Sequence, residues 1–156
     1  MNVNASAIDI STSGMRAQRV RMELIANNLA NVETTSSRQE TVRGADGQSY
    51  VRHLPFSRKM AVFREGVATP RGRAPGVSLP VVVDDPAPFR MEHNPGHPHA
   101  VPAHSGAEDA GFVYLPNVHP IMEMVDMIAA SRAYEANVTA VDTMKSMGSA
   151  NLRILA

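Results

Sequence analysis

Four histidines, His93, His97, His99 and His104, fall within twelve residues. Imidazole is a common zinc ligand, so a cluster this dense could in principle hold a metal ion. Its spacing argues otherwise. Pro95 and Pro98 break any helix that would carry two rings onto one face, and the nearest carboxylates, Asp84, Asp85 and Glu92, are close in sequence only. Solvated histidines are the favoured reading. A metal-dependent hydrolase built on this loop is the alternative, and Zn²⁺ titration or chelator-sensitive turnover separates the two. The chain has no Cys, which removes thiolate ligands and nucleophiles. Gly14, Gly44 and Gly47 lack the frame of a dinucleotide turn, and no P-loop or Ser-His-Asp spacing occurs. The expectation is a non-enzyme with no metal and no cofactor.

The remaining chemistry is that of recognition. Asn27, Asn28 and Asn31 cluster where an amphipathic pattern ends. A plain reading is a helix C-terminus, where Asn is tolerated. The sharper reading is that their amides bond groups of a neighbouring subunit and set register, as a buried Asn does in a coiled coil. On that reading Asn28→Ala leaves the monomer folded and impairs assembly. Arg132 and Glu135, flanking Tyr134, form an i, i+3 pair contributing only about 0.2–0.5 kcal/mol if exposed, or a pairing group between subunits.

Long helices must carry these residues. From Asn4 to Asn31 a step of three and four residues collects Ile8, Ser11, Met15, Gln18, Met22, Ile25, Leu29 and Val32, which predicts one amphipathic helix roughly 40 Å long. From Pro120 the same stepping collects Met127, Ser131, Tyr134, Val138, Val141, Lys145, Gly148, Leu152 and Leu155, with Met124, Ile128 and Met144 widening the stripe. Pro120 suits a first helical turn, and Glu123 suits its dipole. Residues 36–119 hold ten of the eleven prolines. They offer strand-like runs at Ser49 to Leu54, Lys59 to Phe63, Val77 to Val83 and Phe112 to Leu115, and Asp46-Gly47 is a hairpin signal. Asp84 to Asp109 reads as a loop, flexible or ordered on assembly. The predicted fold is mainly α with a small β-rich insert, an α+β chain whose long terminal helices pair in a coiled-coil-like manner. Its predicted segments are an N-terminal assembly helix (1–35), a β-rich or loop insert (36–119) and a C-terminal assembly helix (120–156).

Composition agrees with helices left unfinished. Aromatic residues are 4% of the chain and Trp is missing, so the core is thin and partner chains supply part of the burial. An isolated amphipathic helix is only marginally stable in water. Net charge is zero, yet residues 1–73 carry 11 Lys and Arg against 6 Asp and Glu, and residues 74–156 carry 4 against 9. That asymmetry is ordinary surface, or head-to-tail complementarity between copies. A balanced chain gives no support for nucleic-acid binding. No apolar run approaches the roughly 20 residues that span a bilayer, and the N-terminus does not read as a cleaved signal peptide.

Both ends carry a family pattern. Ser13-Gly14-Met15, Ala17, Arg21 and the run from Ile25 to Asn31, with Thr34-Thr35 after it, resemble the N-terminal signature of flagellar rod and hook axial proteins. Gly111 to Val118, Glu123-Met124-Val125, Ala130 to Val138, Thr143 to Met147 and Ala45 to Tyr50 resemble one proximal-rod branch of that family; another rod subunit, such as FlgB, shares only the N-terminal signature. Where the branch commonly has Asp or Asn after Pro-Asn-Val, this chain has His119, so capping falls to His119 or Asn117. The resemblance implies a structural subunit of the proximal rod of the bacterial flagellar basal body, self-assembling through its terminal helices and serving motility. It implies partners: further copies, the rod proteins FlgB, FlgF and FlgG, a FliE-like adaptor, and the flagellar type III export apparatus. It also implies passage without a cleaved signal into a rod crossing the periplasm, with neither membrane insertion nor nucleic acid. The expected assembly interface comprises Ser13, Gly14, Met15, Arg21, Ile25, Asn27, Asn28, Leu29 and Asn31 of the first helix, and Arg132, Tyr134, Glu135, Asn137, Val138, Val141 and Met144 of the second.

Overall fold

A computed structural model describes residues 3–44, 47, 49–66, 68–69, 72–73, 76–102 and 106–155. Helix α1 spans Val3–Ala30 and helix α2 spans Pro120–Leu155. Between them run β1 (Arg38–Arg43), β2 (Ser49–Leu54), β3 (Lys59–Val62), β4 (Ala68–Thr69), β5 (Gly72–Arg73), β6 (Val81–Asp84), β7 (Arg90–His93) and β8 (Phe112–Leu115). These strands form two-stranded sheets, β1 with β2, β3 with β6, β4 with β5 and β7 with β8. The expected α+β chain with a long helix at each end is the observed architecture. Its compact units divide the chain differently from the helix–insert–helix segments. One unit contains residues up to 26, Met60–Val83 and the chain from Met124 onward; the other contains Asn27–Lys59 and Asp84–Glu123.

In the first unit α1 and α2 run antiparallel. The inner side of α1 follows the predicted stripe: Ser11 and Ile25 are buried, Ile8, Met15, Gln18 and Met22 are half-buried, and Ala17, just beside the stripe, is buried with them. Small residues occupy the inner face because they let two helix backbones approach closely. Opposite them α2 buries Ala130 completely and Val141 nearly so, whereas Met124 and Ile128, expected in the seam, face solvent. Segment 64–66 pairs with 76–78: Gly66 N–H donates to Gly76 C=O at 2.8 Å, and Ser78 N–H to Arg64 C=O at 2.9 Å.

The second unit is built on two strand pairs. In β1–β2, Val42 faces Tyr50 and Thr41 faces Val51, the register expected of a hairpin around Asp46-Gly47. Gly47 has φ +75°, which favours glycine; Asp46 lies outside the described residues. Strand β7 forms inside the stretch read as a loop, pairing Met91 with Tyr114 and Glu92 with Val113. That stretch is anchored by Val101, which is buried and hydrogen-bonds to Phe112 and Gly111 through its backbone. Proline and glycine density hid a four-residue strand, because a strand that short leaves almost no alternation to read.

Asp109 ties the two pairs together. It accepts the Tyr114 hydroxyl and lies 3.0 Å from Arg52 on β2. Burial, with the bond to Asp109 adding, pushes the Tyr114 phenol up to about 12. An unfolded tyrosine ionises near pH 10, so this contribution to stability is complete below that pH and is lost as pH rises from about 10 to about 12. Denaturant midpoints measured across that range fall in the native chain, and Tyr114→Phe flattens the decline.

Candidate assembly site

The signature at Ser13-Gly14 does its work inside the first unit. Ser13 Oγ donates to the Ile10 carbonyl (2.7 Å) and accepts the Val77 N–H (3.0 Å), pinning the returning strand segment onto α1. Gly76, at φ +103°, sits so close that a Cβ there would collide with Ser13 Oγ. Gly14 faces Asn137 of α2, and a Cβ at Gly14 would lie 3.2 Å from Asn137 Oδ1. Asn137 Nδ2 in turn bonds the Ala133 carbonyl at 2.8 Å. Seven residues farther along α1, Arg21 pairs with Asp126 at 2.9 Å. Ile25 and Val141 are buried, and Met15, Tyr134, Val138 and Met144 are half-buried in this unit. Arg132 and Glu135 are exposed, and the expected pair between them is not formed; Glu135 instead meets the Ser131 hydroxyl at 3.5 Å.

The three asparagines have separate roles in the second unit. Asn31 Nδ2 bonds the Asn27 carbonyl (2.9 Å), and Asn31 Oδ1 accepts the Thr34 hydroxyl (3.2 Å). These bonds close the C-terminus of α1, whose last carbonyls have no helical partners. Asn27 is exposed and Leu29 half-buried. Asn28 is only 1% exposed. Its Oδ1 accepts the Lys59 N–H (2.8 Å), and its Nδ2 donates to the Lys59 carbonyl (2.9 Å) and to Glu123 Oε2 (3.0 Å). One amide thus matches both backbone groups of Lys59, as a neighbouring strand would. These amide bonds of Asn28 are made within the chain.

Glu123, which the sequence offers as a dipole charge and as part of the family pattern, is also only 1% exposed. Its Oε1 accepts Arg58 Nε at 2.6 Å, and Arg58 also reaches Asp85 at 3.3 Å. Burial opposes the Arg58 charge, but the bonds and charges of Glu123 and Asp85 outweigh it and hold the guanidinium above its ordinary pKa. Asn117 accepts the Arg58 N–H (2.9 Å) and donates to the Ala87 carbonyl (3.1 Å). Its amide is therefore engaged away from α2. The first helical bond of α2, from Glu123 N–H, goes to the His119 carbonyl (3.0 Å), which makes His119 the capping position. Arg58 and Asp85 escaped sequence reasoning, since nothing local marks a loop arginine as the partner of a carboxylate 65 residues on.

Among the described residues no group of three or more His, Asp or Glu is placed to hold a metal ion. His93 packs edge-on against Phe112, and His104 lies outside the described residues. Among the described residues no helix is long and apolar enough to cross a membrane.

An antiparallel pair of terminal helices, with small two-stranded sheets between them in the chain, is what the resemblance to an axial subunit leads one to expect. Family models agree: the one described as "Flagella basal body rod protein" matches residues 8–36, and "Flagellar basal body rod FlgEFG protein C-terminal" matches residues 109–154. These place the chain among the flagellar basal-body rod proteins. Whole-chain comparison narrows it further. The chain is 36% identical to flagellar basal-body rod protein FlgC of Borreliella burgdorferi, over 96% of both chains. It is 33% identical to that of Bacillus subtilis, over 90% of this chain and 91% of the relative. To that of Yersinia enterocolitica it is 37% identical, over 89% and 88%. The chain belongs to the FlgC family of flagellar basal-body rod proteins, and is a structural subunit of the rod in the flagellar basal body.

Two substitutions test the hub. Asn28→Ala strands both Lys59 backbone groups and is expected to destabilise the monomer by about 2–4 kcal/mol. Arg58→Met leaves Glu123 buried beside Asn28 without its cation, an expected loss of about 3–5 kcal/mol. Urea unfolding of the purified chain measures both; unchanged midpoints would contradict the hub.

Proposed function

We propose that this chain is a proximal-rod subunit that assembles with further copies and with other basal-body rod proteins through the solvent face of α2. One observation carries the reading. α2 presents Ile121, Met122, Met124, Val125 and Ile128 to solvent, with Ile121 at 75% exposure, Val125 at 56% and Ile128 at 55%. Positions 121, 125, 128 and 132 follow one another at helical spacing, so the apolar row continues into exposed Arg132 and Glu135. An apolar row of this length on one helix face marks an interaction surface, and methionine suits a surface that repacks against several partners.

On this reading the residues expected at the interface divide into two groups. Ser13, Gly14, Arg21, Ile25, Asn28, Asn137 and Val141 shape the subunit. Asn27, Arg132, Tyr134 and Glu135 meet the neighbours, with Met15, Leu29, Asn31, Val138 and Met144 at the margins. Function is structural rather than catalytic: torque passes through packed helices. The same reading has the chain exported by the flagellar type III apparatus without a cleaved signal, into a rod that crosses the periplasm beside FlgB, FlgF, FlgG and a FliE-like adaptor. It requires neither nucleic acid nor membrane insertion.

Charge on the apolar row tests this directly. Val125→Asp with Ile128→Glu leaves the unfolding midpoint of the monomer nearly unchanged, because surface substitutions are usually within about 0.5 kcal/mol. The same cells are expected to lose motility, and the chain to vanish from purified hook–basal bodies. Normal motility and normal co-fractionation would refute the surface.

A further inference from the structure

The densest chemistry outside the helices is a group of three imidazoles in the second unit. His53 of β2 stacks on His99 with ring centroids 4.5 Å apart and planes 23° from parallel. His97 meets His99 edge-on at 5.3 Å. Each ring is also tied by a hydrogen bond. His99 Nδ1 lies 2.7 Å from Thr35 Oγ1, and His53 Nδ1 lies 2.9 Å from Ser36 Oγ. His97 Nδ1 accepts the backbone N–H of His99 at 3.1 Å. A ring nitrogen that accepts carries no hydrogen of its own, so Nδ1 is the acceptor nitrogen of His97 in this arrangement. Three segments therefore meet at these rings: β2, the 94–101 loop, and Thr35–Ser36 just beyond α1.

Among the described residues no carboxylate is one of the groups that act on the charge of His99. Opposite His53 on β1 stands Gln39. Its neighbours Arg38 and Glu40 are exposed. Arg52, next to His53, is engaged by Asp109. From β7, Glu92 lines a small pocket with Thr35, Asn94 and His97, and β8 contributes apolar Val113 and Leu115. The side chains acting on the charge of His99 are His53 and His97, both unfavourable once protonated, and burial is the larger effect in the same direction.

We propose that His53, His97 and His99 form an acid-sensitive clasp, which fastens the 94–101 loop to β2 and to Thr35–Ser36 when neutral and releases it when protonated. The sign follows from linkage. A histidine of the unfolded chain takes up its proton near pH 6.5, while folded His99 resists it to lower pH, because burial and the two neighbouring rings disfavour its charge. The stability that His99 contributes is therefore complete above about pH 6.5, falls as pH drops below it, and levels off once its folded ring is charged. Because Thr34, adjacent to Thr35, holds Asn31 at the end of α1, release of the clasp loosens the segment that closes that helix.

Hydrogen exchange by mass spectrometry on the full chain, corrected for intrinsic rates, tests the clasp between pH 7.5 and 5. Exchange in 94–101 is expected to rise at least about threefold on acidification, with little change in α2 peptides from 124–141. His99→Asn, which keeps a polar group for Thr35 but cannot be protonated, flattens that dependence; His53→Gln serves the same purpose if the first variant fails to fold. NMR titration of the native chain gives an independent reading, with His99 charging below pH 6.5. Flat exchange in 94–101, or a His99 titration at or above the unperturbed value, overturns the proposal. So does Zn²⁺ at micromolar level shifting all three imidazole resonances together at pH 7.5, since the group would then be a ligand set.

Discussion

A carboxylate taken out of water must find a cation and donors, or it loses its charge. Glu123 imposes that requirement on the second unit. Its demand is met by Arg58 from the turn after β2 and by Asn28 from the last turns of α1. Asn28 then fixes Lys59 at the head of β3, and Arg58 reaches on to Asp85 beyond β6. Each member is held by another. A half-satisfied network of this kind would be worse than an apolar core, so its parts stand or fall together. In a unit whose large buried apolar side chains amount to little more than Tyr50, Phe56 and three valines, polar specificity has to supply what hydrophobic volume does not.

The first unit solves a different problem. Its helices approach over small side chains, Ser11, Gly14 and Ala17 against Ala130 and Asn137, which leaves the larger apolar residues of α2 free to point outward. Close packing inside and an apolar row outside are thus two sides of one choice. A chain selected as a lone globule would turn Ile128 and Val125 inward. A rod subunit of the FlgC family can leave them exposed, because its finished state includes neighbours.

Much of this was legible in the residue pattern. The helices begin and end within a residue or so of where periodicity and Pro120 place them, and β2 and β8 coincide with the apolar runs at Ser49 and Phe112. The phase of α1 was legible too, since Ser11 and Ile25 of the stripe are buried; what the stepping missed is Ala17 beside it, because a small side chain adds little to an apolar pattern and still fits where two helices come close. Strand β7 was hidden by the prolines around it. The hub was out of reach for a different reason: Asn28, Arg58 and Glu123 each have an ordinary local explanation, as a helix end, a loop charge and a dipole charge. Only their meeting in space gives them a joint role. His53 was likewise invisible beside a cluster forty residues away in the chain.

The hub also has a consequence in time. Its bonds join residues 31, 65 and 95 positions apart, and contacts of such sequence separation form late, after the loops between them have closed. The hydrogen bonds of α1 can form as soon as that segment exists, but its final asparagine pairing cannot be completed until Glu123 has been delivered. Until the second helix is present, Asn28 and Arg58 lack their acid and the network stays open. Closure of the second unit is thereby tied to the arrival of Glu123, late in the chain.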